Sequence, residues 1–231
     1  MIDVILMEPE HPGNLGAVAR AVKNFGIAGF VLVDPKADRD AEEAINRAKW
    51  AKDILKAAKV IKKEELGAYD YLISTSAKMG TDYNIPRSPL DPSQLAKKIV
   101  RKPMQRKKIG ILFGRESSGL TNEEIGMCDF LVSIPGHKGY PVFNLSHAVA
   151  IILYELFKES QKESSVSHIR MLSGKEKNIL IGHVDAAIRA LDFKPKEKAE
   201  TQKKAWKHVI GKAMLTRREG FALMGFFRKI R

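Results

Sequence analysis

The sequence predicts an α/β fold, a mainly parallel sheet with helices on both faces, followed by a small helical C-terminal extension. Five short runs are apolar at consecutive positions, which suits strands buried on both faces in a covered parallel sheet. Patterns of helical period fall between them. After residue 158 the texture turns polar and serine-rich, and beyond it apolar residues recur at helical spacing.

In chain order, IDVILM (2–7) is the first strand. A helix follows over 14–25, with Asn14 as its N-cap and Gly26 just past its end, where glycine suits a left-handed residue. Leu15, Val18, Val22 and Phe25 form the buried stripe of that helix, and Arg20 lies roughly opposite. GFVLVD (29–34), YDYLIST (69–75), KIGILF (108–113) and DFLVSI (129–134) supply the other strands. Residues 91–101 and 144–159 are helices, and the second is apolar almost all round, so it belongs in the interior or at a subunit interface. Three further helical patterns run over 173–191, 200–213 and 216–230. The organisation is an α/β domain at 1–160, a linker at 161–172 and a helical extension at 173–231.

The formal net charge is +13, and its distribution is uneven. Residues 1–160 hold 23 Lys and Arg against 20 Asp and Glu, while 161–231 hold 17 against 7. A near-neutral body with a basic extension points to a polyanionic partner, since cationic side chains bind phosphates by displacing counterions. One cysteine, Cys128, excludes an intramolecular disulfide and a multi-cysteine metal site, and it suits a reducing compartment. The first residues carry acids where a secretory signal needs a basic flank, and no run reaches the roughly 18 apolar residues of a membrane span. The expectation is a cytoplasmic protein without membrane association.

Three loops at the C-terminal ends of expected strands stand out, where ligands sit in open parallel sheets. The first, EPEHPGNLGAVAR (8–20), places a Pro-Gly turn before Asn14, and Gly16 permits a close approach to the first helical turn. The second, GRESSGLT (114–121), has the glycine spacing of a phosphate-binding loop, but Leu120 stands where the lysine belongs. Thr121 and Glu124 form a capping box for the next helix, which leaves Glu116 as the unexplained polar residue. The third, IPGHKGYPVFNLSHA (134–148), is shaped by Pro135, Gly136, Gly139 and Pro141 and feeds a helix through Asn144 and Ser146. Its histidines, His137 and His147, match no zinc spacing, so no metal is expected and His147 reads as a helix-packing residue.

Taken in this order, the three loops resemble the motifs of the SPOUT class of RNA methyltransferases. Asn14-x-Gly16 with Arg20 is similar to the first motif, LFGRESSGL to the second, and SIPGHKGYPVFNLSHAVAIILYE to the third. Within the class the resemblance is greatest to the TrmJ type, tRNA 2′-O-methyltransferases acting at position 32 of the anticodon loop. TRREGFALMGFFRK (216–229) is similar to that family's helical tail. The resemblance implies a trefoil knot in the C-terminal part of the α/β domain, a homodimer, tRNA as partner and S-adenosylmethionine as cofactor.

By position it assigns the cofactor site to Thr75, Ser76, Ala77, Gly114, Ile134, Val142, Phe143 and Asn144. It makes Arg20 the catalytic residue, supported by Asn14, Glu116 and Asn144, and lets Arg20 and Arg115 contact substrate. Arg217, Arg218 and Arg228 of the extension are candidate phosphate contacts, with Leu215, Phe221, Leu223, Phe226 and Phe227 expected to pack. One departure is Val142, where many relatives carry a serine; Ser146 could take its place. The competing reading is a catalytically inactive RNA-binding protein on the same fold.

Overall fold

The computed structural model describes residues 1–26, 29–77, 89–100, 104, 106–161, 170–191 and 193–230. Its sheet has six parallel strands in the order β3-β2-β1-β5-β4-β6. These are β1 (Ile2–Met7), β2 (Gly29–Val33), β3 (Lys59–Ile61), β4 (Tyr71–Thr75), β5 (Ile109–Phe113) and β6 (Phe130–Val132). Five are the apolar runs of the sequence. The sixth, β3, is a three-residue edge strand whose Lys59 and Val60 face solvent, so it lacks the apolar signature of the others.

Side chains of successive strand residues divide between two cores, as the pleat requires. Val4, Leu6, Phe30, Leu32, Ile73 and Ile111 face one side, beneath α1 (Pro12–Phe25), α2 (Glu42–Ala48), α4 (Pro92–Ile99) and α6 (Leu145–Ser160). Ile5, Met7, Val31, Val33, Leu72 and Leu112 face the other, against Leu66, Leu120 and Ile125, the last on α5 (Asn122–Met127). Two short helical stretches, α2 and α3 (Lys52–Lys56), fill the β2–β3 connection. Gly16 is where α1 meets α2: an added Cβ would lie 2.1 Å from Ala44 O, so the close approach at this glycine is made by a neighbouring helix.

The expected boundaries shift in informative ways. α1 starts at Pro12, its N-cap is His11, and Asn14 therefore lies inside the first turn and caps nothing. Proline at N1 sets the helical φ and has no N–H to satisfy, so the turn forms without a side-chain cap. α6 is buried only along Leu145, Val149, Ile152, Leu153 and Leu156, whereas Tyr154 and Phe157 are exposed. His147 is exposed too, and does not pack.

The C-terminal part forms its own helical cluster of α7 (Gly174–Ala190), α8 (Lys196–Ala213) and α9 (Arg217–Arg228) around Leu180, Val184, Ile188, Met224 and Phe227. Most of the expected linker, 162–169, lies outside the described residues. The cluster is held to the sheet at its N-terminal edge. Lys177, buried, is ion-paired with Asp129 before β6 and donates to Asp70 O before β4 at 2.8 Å. Asp70 also accepts from Gly174 N at 2.8 Å, and Lys207 donates to Gly126 O at 2.7 Å. Phe221 and Phe226 are exposed, unlike Phe227, because the helical face they occupy turns away from the cluster. Residues 78–88, between β4 and α4, lie outside the described residues.

Candidate active site

Parallel pairing brings the C-terminal ends of β1, β5, β4 and β6 side by side, and with them the loops that carry the conspicuous residues. Glu116, three residues past the β5 end at Phe113, reaches across to the start of α1. Its carboxylate accepts from Glu10 N at 2.9 Å, His11 N at 3.3 Å and Asn14 Nδ2 at 2.9 Å. With Asn14 Nδ2 directed at the carboxylate, its Oδ1 is turned to Asn144 and accepts from Asn144 Nδ2 at 3.2 Å. Asn144 Oδ1 in turn accepts from Ser146 N at 2.9 Å and Ser146 Oγ at 2.7 Å. Three loops far apart in sequence are thus tied by one chain of hydrogen bonds that all point toward Glu116. Such chains polarise one another. At the far end the Ser146 hydroxyl has spent its proton on Asn144 and keeps its oxygen lone pairs as acceptors.

The loop that holds Glu116 is closed on itself. Gly119 N donates to Arg115 O at 2.9 Å, and Gly119 has φ +73, a conformation that favours glycine. A Cβ on Gly114 would lie 2.2 Å from Gly119 C, so the chain crosses itself in backbone contact. Ser117 N and Oγ are taken by the Glu10 carboxylate at 3.1 and 2.9 Å, and Leu120 is buried in the core. A phosphate cradle needs free backbone N–H groups, and here those of Ser117 and Gly119 are occupied.

Arg115 braces this loop from beneath. Its guanidinium grips Glu124 bidentately at 2.9 and 3.0 Å, pairs with Glu8 and touches Gly119 O at 3.3 Å. Its side chain is only 12% exposed and that of Glu124 3%. Expected among the substrate contacts, Arg115 has both terminal nitrogens engaged within the chain. The Arg115 hydrogen bond, seconded by Lys36, holds the Glu8 carboxyl down at about 2. Burial of Glu124 works against its ionisation, yet the hydrogen bonds from Arg115 and Thr121 N prevail and its pKa falls below the ordinary value. Glu8 sits at φ +40, a left-handed conformation for a non-glycine residue at the end of β1, held there by these contacts. The capping box of Thr121 and Glu124 is present, with Glu124 serving cap and clamp at once.

The residues expected to line a cofactor site lie along the same edge. Thr75 ends β4 and donates from Oγ1 to Leu112 O at 3.0 Å, Ser76 N donates to Val132 O at 3.0 Å, and Ala77 follows half-buried. Ile134 is half-buried, Val142 is 57% exposed, and Phe143 lies 3.2 Å from where a Gly136 Cβ would be. Apolar side chains with open faces beside backbone polar groups suit a flat heteroaromatic ligand. Among the described residues no group of three His, Cys, Asp or Glu side chains is placed to hold a metal ion.

Arg20 is exposed on α1, six residues and roughly 9 Å along the helix axis from Asn14. No hydrogen bond or ion pair engages it among the described residues. Arg217, Arg218 and Arg228 are not brought to this edge by their helix's attachment, which is at the opposite one. Arg217 is tied to Glu176 at 2.7 Å and stacked over Phe221 at 5.0 Å, while Arg218 and Arg228 are exposed. Sequence reasoning missed Glu8 and Glu10. Both are visible as acids at a strand end, but their partners lie 107 residues away.

The parallel sheet with three hydrogen-bonded loops at one edge is an α/β architecture, and comparison with known proteins gives its family. Residues 1–154 match the model of the SpoU rRNA Methylase family. The chain is 38% identical over 231 residues to the tRNA (cytidine-2′-O-)-methyltransferase TrmJ of Methanocaldococcus jannaschii, covering 99% of each. It is 30% identical to the tRNA (cytidine/uridine/adenosine-2′-O-)-methyltransferase TrmJ of Pseudomonas aeruginosa, covering 97% of this chain and 91% of that one. The crystal structure of TrmJ from Z. mobilis superposes with a TM-score of 0.69 at 24% identity, over 100% of this chain and 99% of the other. The chain belongs to the SpoU methylase family.

Proposed function

We propose that this protein methylates a ribose 2′-hydroxyl of tRNA, at position 32 of the anticodon loop, with S-adenosylmethionine as methyl donor. The observation that carries the reading is the hydrogen-bonded chain from Glu116 through Asn14 and Asn144 to Ser146. It locks the start of Arg20's helix to the loop that lines the expected cofactor edge. That edge fits the cofactor by its chemistry: Ile134, Val142 and Phe143 offer apolar walls, and Thr75, Ser76, Ala77, Gly114 and Asn144 offer backbone and amide groups. When bound, S-adenosylmethionine supplies an electrophilic methyl group.

The chain's own residues then have distinct tasks. Arginine stays protonated, with a pKa above about 12, so Arg20 serves as a donor that holds a substrate phosphate and steadies negative charge developing on the ribose oxygen. The hydroxyl proton leaves to water, and the Ser146 oxygen, oriented by Asn144, accepts a hydrogen bond that positions the attacking hydroxyl. In this reading Ser146 takes the place of the serine that many relatives carry at position 142, from the other side of Asn144. The open aromatic face of Phe25, Tyr154 and Phe157, with ring centroids 6.3 and 6.0 Å from Phe25, supports a homodimer in which Arg20 works at the partner's site. The knot and a cytoplasmic setting accompany the reading; no helix of the described residues is long and apolar enough to cross a membrane.

Mass-spectrometric mapping of ribose methylation on tRNA transcripts, with each base in turn at position 32, tests it. Incorporation at that nucleotide that disappears in Arg20→Ala is the expected result. Binding without incorporation on any transcript would leave the inactive RNA-binding reading. Heterodimers of Arg20→Ala and Asn144→Ala subunits should recover activity if Arg20 acts across the dimer.

A further inference from the structure

Trp50 is 93% exposed, although tryptophan is among the residues most buried on average. It lies in a one-turn segment, Lys49–Ala51, between α2 and α3. Lys49 before it holds φ +52 and ψ −115, an unfavourable backbone for a residue with a side chain. Strain of this kind persists where the surroundings enforce it and concentrates at functional sites. Here the surroundings are specific: Lys23 of α1 donates to Trp50 O at 2.7 Å and to Asp53 at 2.8 Å. Lys23 is three residues past Arg20, so Trp50 stands beside the turn of α1 that carries Arg20.

Charge surrounds it. Residues 47–63 hold seven Lys and Arg against one acid, Asp53, which Lys23 already engages. This segment is one of two cationic runs of 1–160, the other being 97–108, and within it Lys62 and Lys63 are paired with Asp34 and Glu123. Arg47, Lys49, Lys52 and Lys56 are all exposed. Protein interfaces favour tryptophan but are depleted in lysine, whereas an aromatic ring among cations is the composition of surfaces that stack nucleic-acid bases.

We propose that Trp50 is a stacking platform for a tRNA base, with Arg47, Lys49, Lys52 and Lys56 holding the adjoining phosphates. The inference rests on the tRNA reading above and adds a second contact area to it, on the α/β domain itself. Because the helical cluster is attached at the sheet edge remote from the candidate site, a body-borne contact beside Arg20 is what fixes the substrate there.

Full-length protein carrying Trp206→Phe leaves Trp50 as the sole tryptophan reporter. Titration with an unmodified tRNA transcript should quench its emission. Trp50→Ala should weaken tRNA binding about 5- to 150-fold, the range for one stacked base, with Trp50→Phe retaining most of the affinity and S-adenosylmethionine binding unchanged. The salt slope should be unaltered in Trp50→Ala and reduced by about one per lysine in Lys49→Ala and Lys52→Ala. Unquenched emission together with wild-type affinity in Trp50→Ala overturns the proposal. So does an altered monomer–dimer equilibrium with normal tRNA binding, which would place Trp50 in a subunit contact. A wild-type chain that binds no tRNA sinks both readings, whereas intact binding with no methyl transfer counts against the enzymatic one alone.

Discussion

Glu116 shows what a single conspicuous residue does when its partners are distant in sequence. A carboxylate that accepts from two backbone N–H groups and an amide fixes the entrance to α1 and sets the orientation of Asn14. Glu116→Gln keeps the shape but replaces one accepting oxygen with a donor, which must face N–H groups. We expect it to lower kcat with little change in cofactor binding, and to lower the unfolding midpoint by the loss of hydrogen bonds to a charged group, each about 1.5–3 kcal/mol. Ser146→Ala, at the other end of the chain, should lower kcat without that loss of stability. Steady-state kinetics beside thermal melts separate the two, and equal effects of both variants on stability would contradict the polarised chain. The sequence made Glu116 legible as a residue without a structural explanation. It could not name Asn14 as the partner, because Asn14 read more simply as a helix cap.

At the scale of elements, the strand signals were legible wherever burial on both faces left a run of consecutive apolar residues, and β3 was invisible because an exposed edge strand of Lys-Val-Ile carries no such signature. Likewise GRESSGLT was readable as a turn but not as a self-closed loop, since the Arg115 brace depends on Glu8, contributed 107 residues earlier. That brace has a pH signature. The Glu8 carboxyl is held down at about 2 in the folded protein, against an ordinary 4.5. Its contribution to stability is therefore full above pH 4.5 and is lost as pH falls toward 2. Arg115→Ala should reduce this acid-dependent part to what Lys36 still provides and leave Glu124 buried without its cation, a change that costs about 3–5 kcal/mol at neutral pH. Urea midpoints measured between pH 2 and 7 check it. Parallel pH profiles for variant and parent, merely offset, would mean that Glu8 draws its shift from elsewhere.

For the whole molecule, the charge asymmetry of the sequence sets the C-terminal segment apart in texture, but it does not reveal how firmly that segment is bound. Lys177 read as one lysine among many; it is buried, ion-paired with Asp129 and stacked over Tyr71 at 4.5 Å. Removing the segment would strip Asp129 of its cation inside the protein, so a truncation confounds lost RNA contacts with lost stability. Surface variants avoid this. Arg218 and Arg228 are exposed on α9, whereas Arg217 is occupied by Glu176. Arg218→Ala with Arg228→Ala should weaken tRNA binding uniformly across sequences and reduce the salt slope by about 2, with the melting midpoint unchanged. Lys177→Met should do the opposite, lowering the midpoint while leaving the salt slope as it was. If the double arginine variant keeps the full slope, these two arginines do not touch phosphates, and the electrostatic contact lies on other cations, those around Trp50 among them.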